Sequence, residues 1–366
     1  MEVDKRQETR GNRSRIAMPA ARTAPPSRIT DRLPSAPPVR FGVVGCGWVA
    51  RDYGIPGLAA AGEVAHLCDA DPQATARAAA VLATPPVASG SLDDLLADDT
   101  IEAVYVATPN HTHAAIVEQC AAAGKAILCE KPLAESIEAA ERMVDACERH
   151  DVTFATAYDQ RWHPAHRLLW SLVAGGDLGT VTQVRVHYAC WLPSGWSPDG
   201  QPHDNWRVDA ARAGGGSAID LAPHGIDLVA TLLGRSWDEL TGLTQTTVQD
   251  YAVDDGAVLV GRLGQTLASL HVGYNCPDPL PRRQLQLIGT RASVTATNTM
   301  GQTPGGSVVR HDAATGRSQP LDFDQTASPF AEQAKWFAAL VRGEAAETFP
   351  PREDLARHTL LLEALA

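Results

Sequence analysis

Val39-Arg40-Phe41-Gly42-Val43-Val44-Gly45-Cys46-Gly47-Trp48-Val49-Ala50 is the stretch on which the fold turns. Residues 39–44 make a short apolar run of the kind that forms a buried strand, and Trp48 opens a helical pattern that lasts to Ala61. Between them, Gly45 permits a tight turn and Gly47 lets the backbone approach a pyrophosphate. Ala50 stands where a third glycine would allow close packing of helix on strand. A lone match to this pattern is weak, and its surroundings strengthen it. A second strand is predicted over Glu63–Cys68, and Asp69 follows it, 24 residues after Gly45, where a carboxylate can accept hydrogen bonds from an adenosine ribose. The competing reading is a plain turn with Asp69 capping the next helix. Strand, turn, helix and acid falling in this order favour the dinucleotide site.

Outward from that unit the alternation continues. Helices are predicted over 72–82, 91–97, 112–123 and 135–150, and strands over 101–107, 126–129 and 152–157. Buried strands joined by helical crossovers predict an α/β fold with a Rossmann dinucleotide-binding domain over 39–158. After Tyr158 the pattern changes. A helix over 164–173 and a strand over 180–190 lead to a loop rich in Trp, Pro and Gly that runs to Ala213, then a helix over 220–233. Strands over 240–248, 257–262, 266–272, 284–288 and 293–297 have turns but no helices between them, and helices over 330–341 and 352–366 close the chain. Residues 159–366 are therefore expected to form an α+β domain with a large, mostly antiparallel open sheet.

The 366 residues carry a net charge of −12, which argues against a phosphate-tracking surface and so against nucleic acid as a partner. Residues 1–40 hold nine Lys or Arg, four Asp or Glu and six prolines, a net of +5 that leaves −17 on the remainder. Residues 1–38 are expected to be a disordered basic tail. The seven cysteines are odd in number and include no Cys-x-x-Cys pair, which favours reduced thiols over a disulfide framework, and no metal is expected. With no apolar run long enough for a membrane span and no signal-peptide core, a cytoplasmic protein without membrane partners is expected.

Three further segments carry chemistry. Thr108-Pro109-Asn110-His111-Thr112-His113 falls at the carboxyl end of the predicted 101–107 strand, where open α/β sheets bind ligands, although a turn with a helix cap would look the same. Glu130-Lys131-Pro132 ends the 126–129 strand; a lysine there points toward the same crevice as a proton donor or carbonyl polariser, or is an ordinary solvated lysine. Gly214-Gly215-Gly216 leads to Asp220 and His224, whose i to i+4 spacing puts an acid and a base on one helix face. Pro223 belongs in a first helical turn, which leaves Asp220 open to a reading as the N-cap.

In this order the four segments resemble the glucose-fructose oxidoreductase and inositol dehydrogenase (Gfo/Idh/MocA) family, from Val39 to about Gly234 and more loosely beyond. The resemblance implies NAD- or NADP-dependent oxidoreduction of sugars or cyclitols. It places the pyrophosphate at Gly45, Cys46, Gly47, Trp48 and Val49, the ribose at Asp69, and further cofactor contacts at Thr108, Pro109, Asn110 and His113. Glu130 is implied beside the nicotinamide, with Trp206 and Arg207 nearby, and Lys131, Asp220 and His224 as the catalytic set with a cis bond before Pro132. The open sheet of such proteins often makes oligomer contacts, so a homo-oligomer, dimer or tetramer, is expected. Pro223 and the segment Tyr158–Pro164 depart from the family pattern.

The function expected is interconversion of a secondary alcohol and a ketone on a sugar, nucleotide sugar or cyclitol by hydride transfer. Tyr158, Arg161 and His163, with His203, are candidate substrate ligands, and Trp191, Trp196 and Trp206 offer flat faces to a ring or are core contacts. NAD is expected over NADP, because a carboxylate at Asp69 would repel a ribose phosphate. The alternatives are an NAD-dependent glycosidase working by transient oxidation and a non-catalytic dinucleotide sensor. Retention of Lys131, Asp220 and His224 argues against the sensor.

Overall fold

The structure, a computed structural model, describes residues 37–200 and 204–366; the expected tail up to residue 36 and His203 lie outside the described residues. Strands β1 (Arg40–Val44), β2 (Glu63–Cys68), β3 (Val87–Ser89), β4 (Ala103–Val106), β5 (Ala126–Cys129) and β6 (Phe154–Thr156) form one parallel sheet in the order β3-β2-β1-β4-β5-β6. Every residue of β4, β5 and β6 is buried, as expected where helices cover both faces. The strand order reverses between β1 and β4, which opens a crevice at their carboxyl ends. β3 was not predicted: three residues with Val87 exposed give no apolar run.

The covering helices are α1 (Ile55–Ala61), α2 (Pro72–Ala79), α3 (Leu92–Leu96), α4 (His113–Ala122) and α5 (Ile137–Arg149). Asp71, Ser91 and Ser136 cap α2, α3 and α5 by accepting from backbone N–H groups of the first turn. The helix predicted from Trp48 is continuous to Ala61 but widens into a π turn over Ala50–Gly54. Pro56 explains the widening, because it has no amide to donate and its ring crowds the carbonyl one turn back.

The second half holds α6 (Pro164–Ala174), β7 (Val181–Ala189), α7 (Ala210–Ala213), α8 (Ser217–Leu233), β8 (Glu239–Gln245), β9 (Gly256–Leu263), β10 (Thr266–Gly273), β11 (Arg283–Gly289), β12 (Ala292–Thr297), β13 (Ser307–Asp312), β14 (Ser318–Leu321), α9 (Pro329–Val341) and α10 (Pro351–Leu365). Its eight strands run in the order β14-β13-β12-β11-β7-β10-β9-β8, with every neighbouring pair antiparallel except β7 and β10. Helix α8 covers the inner face, packing Ile226 and Val229 into one core with Val186 and Leu270. The outer face leaves Leu243 77%, Val260 52% and Leu267 58% exposed. β13 and β14, with the polar sequences Ser307–Asp312 and Ser318–Leu321, gave no strand signal.

Two expectations need correction. Asp220 is not an N-cap: α8 begins at Ser217, and Pro223 lies within it. Asp254, from the turn before β9, accepts from the Gly216 and Ala218 amides and the Ser217 hydroxyl, so a carboxylate distant in sequence closes the helix end. The segment 159–366 is also not confined to the second half. Ala334, Trp336 and Phe337 of α9 join the core of Phe41, Ile55 and Tyr105, and Leu355 of α10 joins that of α4 and α5. Among the described residues no helix is long and apolar enough to cross a membrane.

Candidate active site

The loop after β1 folds across the ends of β2 and β4. Gly45 has φ +89°, and a Cβ there would strike the Ala107 carbonyl, so only glycine fits. Beyond Gly47 there is open space, which suits a phosphate approaching the first helical amides. Asp69 Oδ2 accepts from the Cys46 amide at 2.7 Å and Oδ1 from the Asp71 amide at 2.8 Å, so the carboxylate is anchored on the glycine loop. Each oxygen keeps a second acceptor site for a ribose hydroxyl. Among the described residues the Trp48 indole N–H is buried without a partner, and its ring meets Trp196 edge to face at 5.6 Å. Arg207 lies over Trp206 and Trp48, so Trp196 and Arg207 close over the glycine-loop side of the crevice. These residues fit a dinucleotide.

Thr108 and Pro109 line the same edge, but Asn110 and His113 are turned into the protein. Asn110 donates to the Ala213 carbonyl at 2.8 Å. His113 is wholly buried; its Nε2 lies 2.9 Å from the Thr108 carbonyl and its Nδ1 3.2 and 3.1 Å from those of Pro132 and Leu133. Both residues tie the cofactor loop to the segments that carry the chemistry.

Lys131 leaves β5 through a cis bond to Pro132 and reaches α8. Its Nζ donates to Asp220 Oδ1 at 2.6 Å and to the Asp220 carbonyl at 3.0 Å, beside the break that Pro223 makes in the helical ladder. Tyr274 donates to Asp220 Oδ2 at 2.7 Å. Burial works against ionisation of Asp220, but Lys131, Arg207 and these hydrogen bonds prevail and hold its carboxyl well below the usual range. Asp220 is thus partner to Lys131 and not to His224.

His224, one turn further along α8, faces Asp159: Nδ1 lies 3.4 Å from Asp159 Oδ1, outside good hydrogen-bond geometry, with no hydrogen-bond partner among the described residues. Burial, with Lys131 nearby, pushes the imidazole well below its ordinary value, so it is neutral and able to accept a proton. Burial and then the charge of Glu130 push Asp159 up to about 7. Glu130 itself accepts from the Tyr105 hydroxyl at 2.6 Å and is raised chiefly by burial. Tyr188 packs edge-on to the His224 ring at 5.5 Å.

The three proposed substrate ligands do not line this cleft. Arg161 is sealed, its side chain 1% exposed, in a bidentate pair with Asp227 and a further bond to Asp354 at 2.6 Å. Tyr158 is buried beneath that guanidinium, and His163 caps α6 by accepting from the Ala165 amide, with burial pushing its imidazole down to about 4. Asp159, Tyr188 and Tyr274 were missed. Asp159 sits inside a segment that the sequence reading singled out, which was the one available signal.

A dinucleotide cradle facing a half-buried Lys-Asp pair and a neutral histidine defines a nicotinamide-dependent oxidoreductase. A family model described as an oxidoreductase family with an NAD-binding Rossmann fold matches residues 39–158, and the Gfo/Idh/MocA C-terminal domain matches residues 166–295. The chain belongs to the Gfo/Idh/MocA family of oxidoreductases. It is 30% identical over 290 residues to 1,5-anhydro-D-fructose reductase of Ensifer adhaerens, covering 77% of this chain and 83% of that one. It is 33% identical over 219 residues to the NADP-dependent D-xylose 1-dehydrogenase of Haloarcula marismortui, with 59% and 60% covered. The fold matches levoglucosan dehydrogenase solved with NADH and levoglucosan, at TM-score 0.75 and 22% identity over 89% of this chain and 96% of that one.

Proposed function

We propose that this protein is an NAD-preferring dehydrogenase or reductase that interconverts a secondary alcohol and a ketone on a sugar or cyclitol. The observation that carries the reading is the 2.6 Å Lys131–Asp220 pair at the sheet edge, with neutral His224 one helical turn away. Sugar-active relatives support the substrate class. Gly45 to Val49 would hold the pyrophosphate, Asp69 the ribose, and Thr108, Pro109, Glu130, Trp206 and Arg207 the rest of the dinucleotide. When bound, the nicotinamide supplies a hydride acceptor or donor. Lys131, positioned by Asp220, steadies negative charge on the alcohol oxygen. His224 takes the hydroxyl proton at Nε2, and Asp159 beside Nδ1 steadies the imidazolium that results. The bare outer face of the second sheet supports a homo-oligomer, dimer or tetramer, which light scattering on the eluting protein would measure.

The test is absorbance at 340 nm with levoglucosan, D-xylose, myo-inositol, D-glucuronate and D-glucose 6-phosphate against NAD and NADP separately, and with 1,5-anhydro-D-fructose against NADH. A change with at least one polyol is expected, larger with NAD. Silence across the panel with both cofactors defeats the reading, and aglycone release from a glycoside without net NADH would replace it with the glycosidase.

A further inference from the structure

Arg283 opens β11 and pairs in register with Tyr188 of β7, so both side chains lie on the inner face of the second sheet. Its neighbour Arg282 forms an ion pair with Asp278, but Arg283 has no carboxylate partner among the described residues, and its Nε is buried without a hydrogen bond. Burying an unpaired guanidinium nitrogen is costly, and because the side chain as a whole is only half-buried its remaining donors can meet an incoming acceptor. Stacking does not account for it. The guanidinium carbon lies 5.8 Å from the Tyr188 ring centre, at the outer limit of about 6 Å for a cation on an aromatic face, and stacking satisfies no N–H.

Its surroundings place it in the cleft. Tyr188 is also the ring against His224, and the charge of Arg283 reaches Tyr53 in the first domain. Gly301, with φ +136°, makes room: a Cβ there would collide with Nη1, and the Gly301 carbonyl is held by Gln160, next to Asp159. Of the nearby carboxylates, Asp220 is paired with Lys131, and Asp159 accepts from Gln160 and faces His224.

We propose that Arg283 anchors an oxyanion, a carboxylate or phosphate borne by the sugar several atoms from the carbon that is oxidised. A guanidinium binds such a group through two parallel N–H donors, which would both satisfy the buried Nε and fix the ring over the catalytic set. This rests on the proposed function and narrows its substrate to anionic sugars.

The test is calorimetric binding of D-glucose, D-glucuronate and D-glucose 6-phosphate to the NADH-loaded protein and to Arg283→Gln. At least one anionic probe should bind about tenfold or more tightly than D-glucose, with the better of the two identifying carboxylate or phosphate. Arg283→Gln should remove that preference while leaving NADH affinity and melting temperature unchanged, and Arg283→Lys should restore only part of it. Equal affinities for the three probes, no binding of either anionic probe, or a preference that survives in Arg283→Gln would overturn the assignment. Failure of the protein to bind NADH at all would count instead against the proposed function.

Discussion

Helix α8 carries two aspartates seven residues apart, each paired with a cation from the chain just after a strand of the first sheet, and the two pairs have opposite fates. Asp227 and Arg161 are each 1% exposed and are locked to Asp354 and Arg357 of α10. Asp220 and Lys131 keep 19% and 13% exposure on the crevice side. The chemistry of the pairs is alike, so the difference lies in what surrounds them. A sealed guanidinium fork with three carboxylate bonds is a strut between helices, and removing one partner strands a buried charge. A lysine with one face open keeps its ammonium where an incoming oxygen can meet it.

Exchanging the roles would break this contrast. Lys131→Ala should lower turnover by about 10² to 10⁴ while shifting the melting temperature little, as measured by steady-state rates and calorimetry. Arg161→Ala should do the reverse, costing about 3 to 5 kcal/mol of stability in denaturant unfolding, with the surviving folded fraction retaining its rate per molecule. A stable Arg161→Ala protein, or an active Lys131→Ala enzyme, would erase the distinction.

Smaller effects sharpen it at carboxylates of intermediate character. Asp69 is anchored by two amides yet open to the crevice, and repulsion of a ribose phosphate there amounts to ~1 to 3 kcal/mol after screening. NAD should therefore bind about tenfold to a hundredfold more tightly than NADP, and Asp69→Ser should narrow that ratio in fluorescence titrations. Equal affinities in the unaltered protein would sink this prediction. Arg77, the nearest cation in sequence, forms an exposed ion pair with Asp71 at 3.3 Å.

Asp159 has the burial of the strut and the neighbours of the catalytic pair. Its carboxyl, raised to about 7 from an ordinary ~3.9, stabilises the fold when protonated, and that contribution is lost as pH rises through 7. Glu130 and Lys131 from the turn after β5, Tyr105 from β4, His224 from α8 and Tyr188 from β7 all face this group, and Gln160 donates to it. Asp159→Asn should thus flatten the fall in melting temperature between about pH 4 and 7. It should also remove the acid limb from the rate of alcohol oxidation, because a protonated Asp159 cannot support the imidazolium. Unchanged pH profiles would make Asp159 a bystander.

The sequence disclosed what depends on local spacing. The turn at Gly45, the placement of Asp69 just after β2 and of Lys131 just after β5, and Asp220 and His224 on one helix were legible in the spacing. It could not disclose partners chosen by the tertiary fold. Arg161 looked available for substrate because Asp227 and Asp354 lie 66 and 193 residues further on. The i to i+4 spacing set Asp220 on the same helix face as His224, whereas the carboxylate facing its ring is Asp159, on another element. Pro223 misled for a related reason: the rule that confines proline to a first turn assumes an isolated helix, and here Asp254 extends the helix toward its amino end while Lys131 meets a carbonyl beside the break.

Helix α9 returns from the far end of the chain to finish the core beneath the nucleotide sheet, where Phe337 is wholly buried and Trp336 stacks on Trp162 at 5.0 Å. On a ribosome, then, the glycine loop and its strands are made first but wait for almost the whole polypeptide before their apolar underside is covered. Until Pro329–Val341 emerges, Phe41 and Ile55 lack part of their packing, and the nascent nucleotide half is a client for whatever shields exposed apolar surface during synthesis. For the same reason a gene fragment cut after residue 158 holds every residue of the sheet and still lacks the lining that keeps it dry.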